Sequence, residues 1–251
     1  MVNFVGAGCG AADLITVRGA RLLSEADIII YAGSLVNPEL LEYARDCCEI
    51  HNSAFMTLDE VICVMAEAER DGKKTVRLHT GDPCIYGAIR EQMDRLDKLN
   101  IPYEICPGVS SFCGAAAALK AEYTLPDISQ TVIISRMAGR TPVPEKESIR
   151  SLSAHGATMV VFLSAGMLEE LSHELIEGGY LPESPAAIVY KASWQDEKIC
   201  RCTVEKLAET AEKNGIRKTA LICIGGFLGD NYSLSRLYDS AFETAFRKAK
   251  Q

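Results

Sequence analysis

The chain alternates short apolar runs with amphipathic stretches, and the runs are bounded by glycine, proline or aspartate. Val2-Asn3-Phe4-Val5 predicts a short buried strand, and Asp27–Tyr31 a second. Between them Asp13-Leu14-Ile15-Thr16 opens a predicted helix that runs to about Glu25, with Ile15, Ala20, Leu22 and Leu23 as apolar contacts. Asn37-Pro38-Glu39 starts another helix, with proline at its favoured first position. Thr57-Leu58-Asp59-Glu60 reads as a capping box ahead of Val61–Arg70, and Asp71-Gly72 stops that helix. Thr75–His79 and Tyr103–Ile105 read as strands on either side of a helix over Tyr86–Leu99. Pro107-Gly108-Val109-Ser110-Ser111 then launches an alanine-rich helix over 112–120. Strands and helices in alternation predict a largely parallel sheet with helical cover.

The second half has a different texture. Thr131–Ser135 and Thr158–Leu163 read as strands, separated by Gly139-Arg140-Thr141-Pro142-Val143-Pro144. Leu168–Glu177 and Val204–Lys213 carry helical patterns, and Ala220–Ile224 a final strand. Ala186–Lys191 and Ile199–Cys202 are strands close enough in sequence to pair as a hairpin. Strands without intervening helices predict a mixed sheet. The expected fold is therefore α/β in two lobes, residues 1–122 with a mainly parallel sheet and residues 123–251 with a mixed one. The boundary falls around Thr124-Leu125-Pro126-Asp127. A cleft between two such lobes is a favoured place for a ligand.

Composition narrows the function classes. With 251 residues, 48% hydrophobic and 24% charged, the chain can bury full cores, which excludes disorder and low-complexity scaffolds. The net charge of −8 and pI near 5.2 argue against a nucleic-acid partner, which would call for a basic face. No apolar run approaches the ~20 residues of a membrane span, so no membrane partner is expected. Met1-Val2-Asn3-Phe4 leads straight into a strand pattern with no charged leader, which predicts a cytoplasmic protein. The ten cysteines contain no CxxC pair, and the four histidines have no metal-ligand spacing. Reduced thiols used as small core residues, and no metal site, are the expectation.

Three glycine-bearing loops carry the candidate chemistry. Gly6-Ala7-Gly8-Cys9-Gly10-Ala11 superficially fits a dinucleotide loop. The second strand, however, ends Tyr31-Ala32-Gly33 without the acid that would hold a ribose, which argues against a nicotinamide or flavin site. The chain has no GxxxxGK[ST], so P-loop chemistry is excluded. A tight strand-to-helix turn explains one or two of these glycines, less easily three. The second loop, Arg77-Leu78-His79-Thr80-Gly81-Asp82-Pro83-Cys84-Ile85-Tyr86-Gly87, offers backbone groups where open α/β sheets bind ligands. A helix cap by Asp82 would also account for it. Pro107-Gly108-Val109-Ser110-Ser111 repeats the geometry. Three such loops at successive strand ends converge on one edge of the sheet, which favours a ligand over three independent caps.

These residues resemble the tetrapyrrole methyltransferases of the cobalamin and sirohaem pathways. That family carries a strand–GxGxG–DLIT start, a GDP–x–x–YG loop and a PGVSS–helix element, and all three stand here in order. Arg77–Pro83, Gln130-Thr131-Val132-Ile133 and Gly139–Pro144 are most similar to the members that methylate C11 of precorrin-4 or cobalt-precorrin-4. Cys9 departs from the proline usual in relatives, and Ala11-Ala12 stand where many carry an acid. The resemblance implies two α/β lobes, S-adenosylmethionine as methyl donor, a homodimer, and precorrin-4 or its cobalt form as substrate. It implies cofactor contacts at Cys9, Thr80, Gly81, Asp82, Ile85, Tyr86, Ser110, Ser111, Leu163 and Ala192. Ile85 and Leu163 could equally be core residues, and Ala192 an ordinary strand end.

Methyl transfer from a sulfonium to an electron-rich carbon needs alignment and exclusion of water rather than a strong nucleophile or a metal. No catalytic base is assigned; Asp13, Asp82, Tyr31 and Tyr86 qualify by type alone, and His79 reads as a core histidine. A polycarboxylate substrate needs local cations on so acidic a chain, and Arg136 and Arg140 are the candidates, though solvated loop arginines are nearly as good a reading. Methylation at C20 or C17, or a module that holds S-adenosylmethionine or a nucleotide without turnover, are the alternatives.

Overall fold

A computed structural model describes residues 1–33 and 35–249. Two compact units are present: 1–115 together with Lys191–Glu197, and 116–190 together with the chain from Lys198 onward.

The first unit is built on a five-stranded sheet in the order β3-β2-β4-β1-β5, with β1 Val2–Gly6, β2 Ile28–Tyr31, β3 Glu49–Asn52, β4 Thr75–His79 and β5 Tyr103–Cys106. Every pairing is parallel. Parallel strands are covered on both faces, so their sequences run apolar without alternation. Ile28-Ile29-Ile30 is buried throughout. One face packs Val2, Phe4, Ile28 and Ile30 against α2 Leu58–Arg70 and α3 Arg90–Lys98. The other packs Val5, Ile29, Val76 and Leu78 against Ile15 and against Leu23 of α1 Val17–Glu25. α4, Ser111–Leu119, follows β5.

The capping box forms as expected: Thr57 accepts from the Glu60 amide, and the Glu60 carboxylate accepts from the Thr57 amide at 2.6 Å. Other boundaries shift for local reasons. The helix expected from Asp13 begins at Val17, because Thr16 caps it by accepting from the Gly19 amide; residues 12–14 form only a 3-10 turn. The Pro38 segment is likewise a 3-10 helix, Pro38–Tyr43, with Asn37 as its cap. The helix expected over Tyr86–Leu99 begins four residues later, since Tyr86 (φ 55°) and Ala88 (φ 49°) are left-handed. β3 has no counterpart in the sequence reading, because its exposed Glu49 and Ile50 lack a buried run.

The second unit holds a mixed sheet in the order β6-β7-β10-β8-β9, with β6 Val132–Arg136, β7 Thr158–Phe162, β8 Pro185–Tyr190, β9 Lys198–Thr203 and β10 Ala220–Ile224. β6 and β7 are parallel; the remaining pairs are antiparallel, including the expected β8–β9 hairpin. Its core gathers Met159, Val161, Ile188 and Ile222 under α5 Ile149–Ser153, α6 Leu168–Glu177 and α7 Leu207–Lys213. α5 is too short to show in the sequence pattern. α7 starts three residues after Val204 because a 3-10 turn precedes it.

Candidate functional site

In the sheet order β4-β1-β5, three neighbouring strands release their loops side by side at their carboxyl ends. The loops touch backbone to backbone. A Cβ on Gly6 would lie 2.5 Å from the Gly108 Cα and 2.6 Å from the Gly81 oxygen; one on Gly108 would lie 2.2 Å from the same oxygen. Gly8 and Gly81 form a two-way bridge, Gly81 N–H to Gly8 oxygen at 2.8 Å and the reverse at 3.3 Å. Both have positive φ, 82° and 60°. These glycines are thus required by close approach and by conformation, which accounts for the second and third loops as well as the first.

Asp82 ties the loops together. Its Oδ1 accepts from the Cys84 amide at 2.8 Å, and its Oδ2 from the Gly108 amide at 3.0 Å. The helix-cap reading does not hold, because α3 starts eight residues later with Ile89 at its N-cap; the carboxylate instead closes its own turn and reaches the third loop, and each oxygen keeps a second lone pair. Thr80 is exposed and donates to the Leu35 oxygen. Ile85 is half-buried, and Tyr86 is 45% exposed. Ser110 is buried and Ser111 half-buried at the first turn of α4, whose leading N–H groups lack helical partners of their own.

A fourth segment joins this edge from far along the chain. Lys191–Glu197 belongs to the first unit. The Ser193 hydroxyl accepts from the Ala11 amide at 3.0 Å and lies 3.4 Å from Cys9 Sγ. Trp194 covers Gly10, where a Cβ would come within 2.3 Å of its ring. Ala192 is buried, and its Cβ lies 3.4 Å from where a Cβ on Gly114 would sit. Cys9, Thr80–Tyr86, Ser110, Ser111 and Ala192 are therefore brought together in one unit. Ser193 and Trp194 were missed in the sequence; their contacts span more than 180 residues, and the one signal was that Trp194 is the chain's single tryptophan.

Left-handed backbone gathers at these positions. Of nine non-glycine residues with positive φ among the described residues, Tyr86, Ala88, Leu163, Lys191 and Ser193 are candidate contacts or sit within two residues of one. Such strain persists where surrounding structure over-determines it, which is characteristic of functional loops.

Beneath the second loop, His79 is 4% exposed, and burial together with the Arg77 charge pushes its pKa down to about 3. It is a neutral core histidine, as expected, though its Nε2 lacks a hydrogen-bond partner. Asp13 is exposed and Tyr31 half-buried.

The remaining candidates lie in the second unit. β6 and β7 are parallel and β10 runs against them, so the ends of the first two and the start of the third share one end of that sheet. Leu163 stands there, 67% exposed and left-handed at φ 55°. The Arg136 guanidinium is committed to its own loop, donating to the Met137, Thr141 and Pro142 oxygens at 2.9–3.1 Å. It staples the turn and is not a free cation. Arg140 is exposed and, among the described residues, makes no ion pair. Gly139 approaches the Met167 side chain, and Gly166 approaches the Arg217 oxygen, so Arg140 and Arg217 flank the same Gly166-Met167 corner. Lys218 follows, also exposed.

A family model for the tetrapyrrole (corrin/porphyrin) methylases matches residues 1–208. The chain belongs to that family. It is 56% identical over 249 residues to the cobalt-precorrin-4 C(11)-methyltransferase of Methanocaldococcus jannaschii, covering 99% of this chain and 96% of that one. It is 41% identical to a precorrin-4 C(11)-methyltransferase of a Sinorhizobium species, with 98% of each covered. A solved cobalt precorrin-4 methyltransferase of cobalamin biosynthesis superposes with a TM-score of 0.89 at 45% identity, covering 91% of this chain and 96% of that one. A uroporphyrin-III C-methyltransferase from Thermus thermophilus, solved with S-adenosyl homocysteine, matches at a TM-score of 0.75 and 26% identity, covering 90% and 92%.

Proposed function

We infer that this protein is an S-adenosylmethionine-dependent C-methyltransferase acting on C11 of cobalt-precorrin-4 or precorrin-4. The observation that carries the reading is the 56% identity across 99% of the chain to an enzyme of that name. The two relatives of 56% and 46% identity are both named for the cobalt form, which favours it over the metal-free substrate named at 41% and 42%.

The loops of the first unit suit the methyl donor. The Gly81 carbonyl, which keeps a second lone pair beyond its bond from Gly8, and the leading N–H groups of α4 offer an acceptor and donors to its amino-acid and ribose portions, while half-buried Ile85 offers an apolar contact to the base. S-adenosylmethionine supplies an electrophilic methyl on a sulfonium. The chain's part is to bind, orient and exclude water, with Asp82 holding two loops in register and the Ser193–Trp194 segment closing over the glycine loop. Arg140, with Arg217 and Lys218 beside it, is proposed to pair with substrate carboxylates.

The active form is proposed to be a homodimer, in line with the family resemblance. Sedimentation should give a mass near twice 27.3 kDa at micromolar concentration; a single species at 27.3 kDa would count against it. The function is tested by incubating the protein with labelled S-adenosylmethionine and each form of precorrin-4, then locating the methyl by NMR. Label at C11 supports the reading; label at C17 or C20, or none with either form, sinks it.

A further inference from the structure

The loop that bears Asp82, Ile85 and Tyr86 is left-handed at Tyr86 and Ala88; inside it, Asp82 accepts from the Cys84 and Ile85 amides. Between Tyr86 and Ala88, Gly87 has no room for a side chain: a Cβ there would lie 2.1 Å from the Pro83 oxygen. At its far end the loop is also held from outside, through the Ala88 oxygen. Two buried polar side chains do so in series. Arg77, on β4, is 7% exposed and donates from Nη1 to the Ile30 oxygen at 3.1 Å and from Nε to Gln92 Oε1 at 3.2 Å. Gln92, on α3 and 5% exposed, donates from Nε2 to the Ala88 oxygen at 3.1 Å.

The two partners fix the amide's orientation, since Arg77 can only donate and the carbonyl can only accept. A guanidinium buried without a carboxylate is costly, so a neutral side chain would suit this core better if packing were its sole task. Its charge instead polarises the Gln92 amide, strengthening the bond that Gln92 gives to Ala88.

We propose that Arg77 and Gln92 are positioning residues that lock the 82–88 loop into its left-handed form and thereby set the affinity for the methyl donor. This rests on the reading of the chain as an S-adenosylmethionine-dependent enzyme. Neither residue touches the donor; both act through the Ala88 carbonyl.

The test uses the full chain, S-adenosylhomocysteine titrated calorimetrically, and amide exchange followed by mass spectrometry. Gln92→Glu keeps the acceptor for Arg77 but loses the donor to Ala88. It should speed exchange across 83–89 and weaken S-adenosylhomocysteine binding about tenfold, because a ligand that must first order its loop binds less tightly. Ala88→Gly removes the steric penalty of the left-handed conformation. Added to Gln92→Glu, it should restore most of the affinity, a rescue that a purely structural role for Gln92 would not give. If Gln92→Glu does not fold, Arg77→Met must show the same local exchange signature. Wild-type exchange and affinity in whichever variant folds, or a double variant no better than Gln92→Glu, overturns the proposal. Failure of the wild type itself to bind S-adenosylhomocysteine would instead overturn the functional reading on which it rests.

Discussion

At Gly108 the nearest atoms to an added methyl would be the Gly81 oxygen at 2.2 Å and the Gly6 Cα at 2.7 Å, all backbone and unable to yield independently. Gly108→Ala should therefore cost about 3 kcal/mol or more of stability, at or beyond the upper end for overpacking, and denaturant unfolding would measure it. Gly72→Ala is the control for conformation without crowding, because its φ is 69° but nothing lies within 4 Å. It should cost about 1 kcal/mol. Asp82 differs in kind, since its two amide bonds join separate loops. Asp82→Ala should lower stability by about 1–3 kcal/mol and also weaken S-adenosylhomocysteine binding. Stability lost with affinity unchanged would make Asp82 a tie between loops alone.

At the level of elements, β4 carries a proton-linked cost. Burial lowers the His79 pKa to about 3, so the folded protein keeps it neutral while the unfolded chain protonates near 6.5. The stability conferred by neutral His79 is complete above pH 6.5 and is lost as pH falls towards 3. Between pH 7.5 and 5 the loss should be about 2 kcal/mol. His79→Leu should flatten that part of the profile in urea titrations; an unchanged slope would show that His79 takes up a proton in the fold. The elements themselves were legible where local chemistry decides. Thr57 and Glu60 announced α2, Pro38 a helical start, and the triple isoleucine β2. The start of α3 was not legible, because Tyr86 and Ala88 are residues with no preference for positive φ and the bond to the Ala88 oxygen comes from Gln92. The edge strand β3 was hidden for the opposite reason, since it buries too little to leave a pattern. Of the candidate site, the glycine and serine loops could be read directly, whereas Ser193 and Trp194 depend on a long-range contact that no local spacing encodes.

At the scale of the whole molecule, a chain of net charge −8 is assigned a substrate that bears many carboxylates. The long-range field opposes that encounter, and its reach is set by salt, about 30 Å at 0.01 M and 10 Å at 0.1 M. Short-range pairs between a carboxylate and a guanidinium are screened far less. Raising ionic strength from 0.01 to 0.1 M should therefore lower the KM for the tetrapyrrole, the reverse of what a protein that attracts its anionic substrate at long range would show. Arg136 was the less suitable of the two arginines read from the sequence, because three carbonyls of its own loop already occupy it. Arg140 and Arg217 remain, on either side of the Gly166-Met167 corner, with no ion pair among the described residues. Arg140→Ala and Arg217→Ala should each raise the tetrapyrrole KM by about fivefold, the loss of roughly 1 kcal/mol expected for an accessible pair, and leave S-adenosylhomocysteine affinity intact. Arg136→Ala should instead lower stability by loosening residues 136–142. If the Arg140 and Arg217 variants, singly and together, keep the wild-type KM at both salt concentrations, the carboxylates are held by other residues.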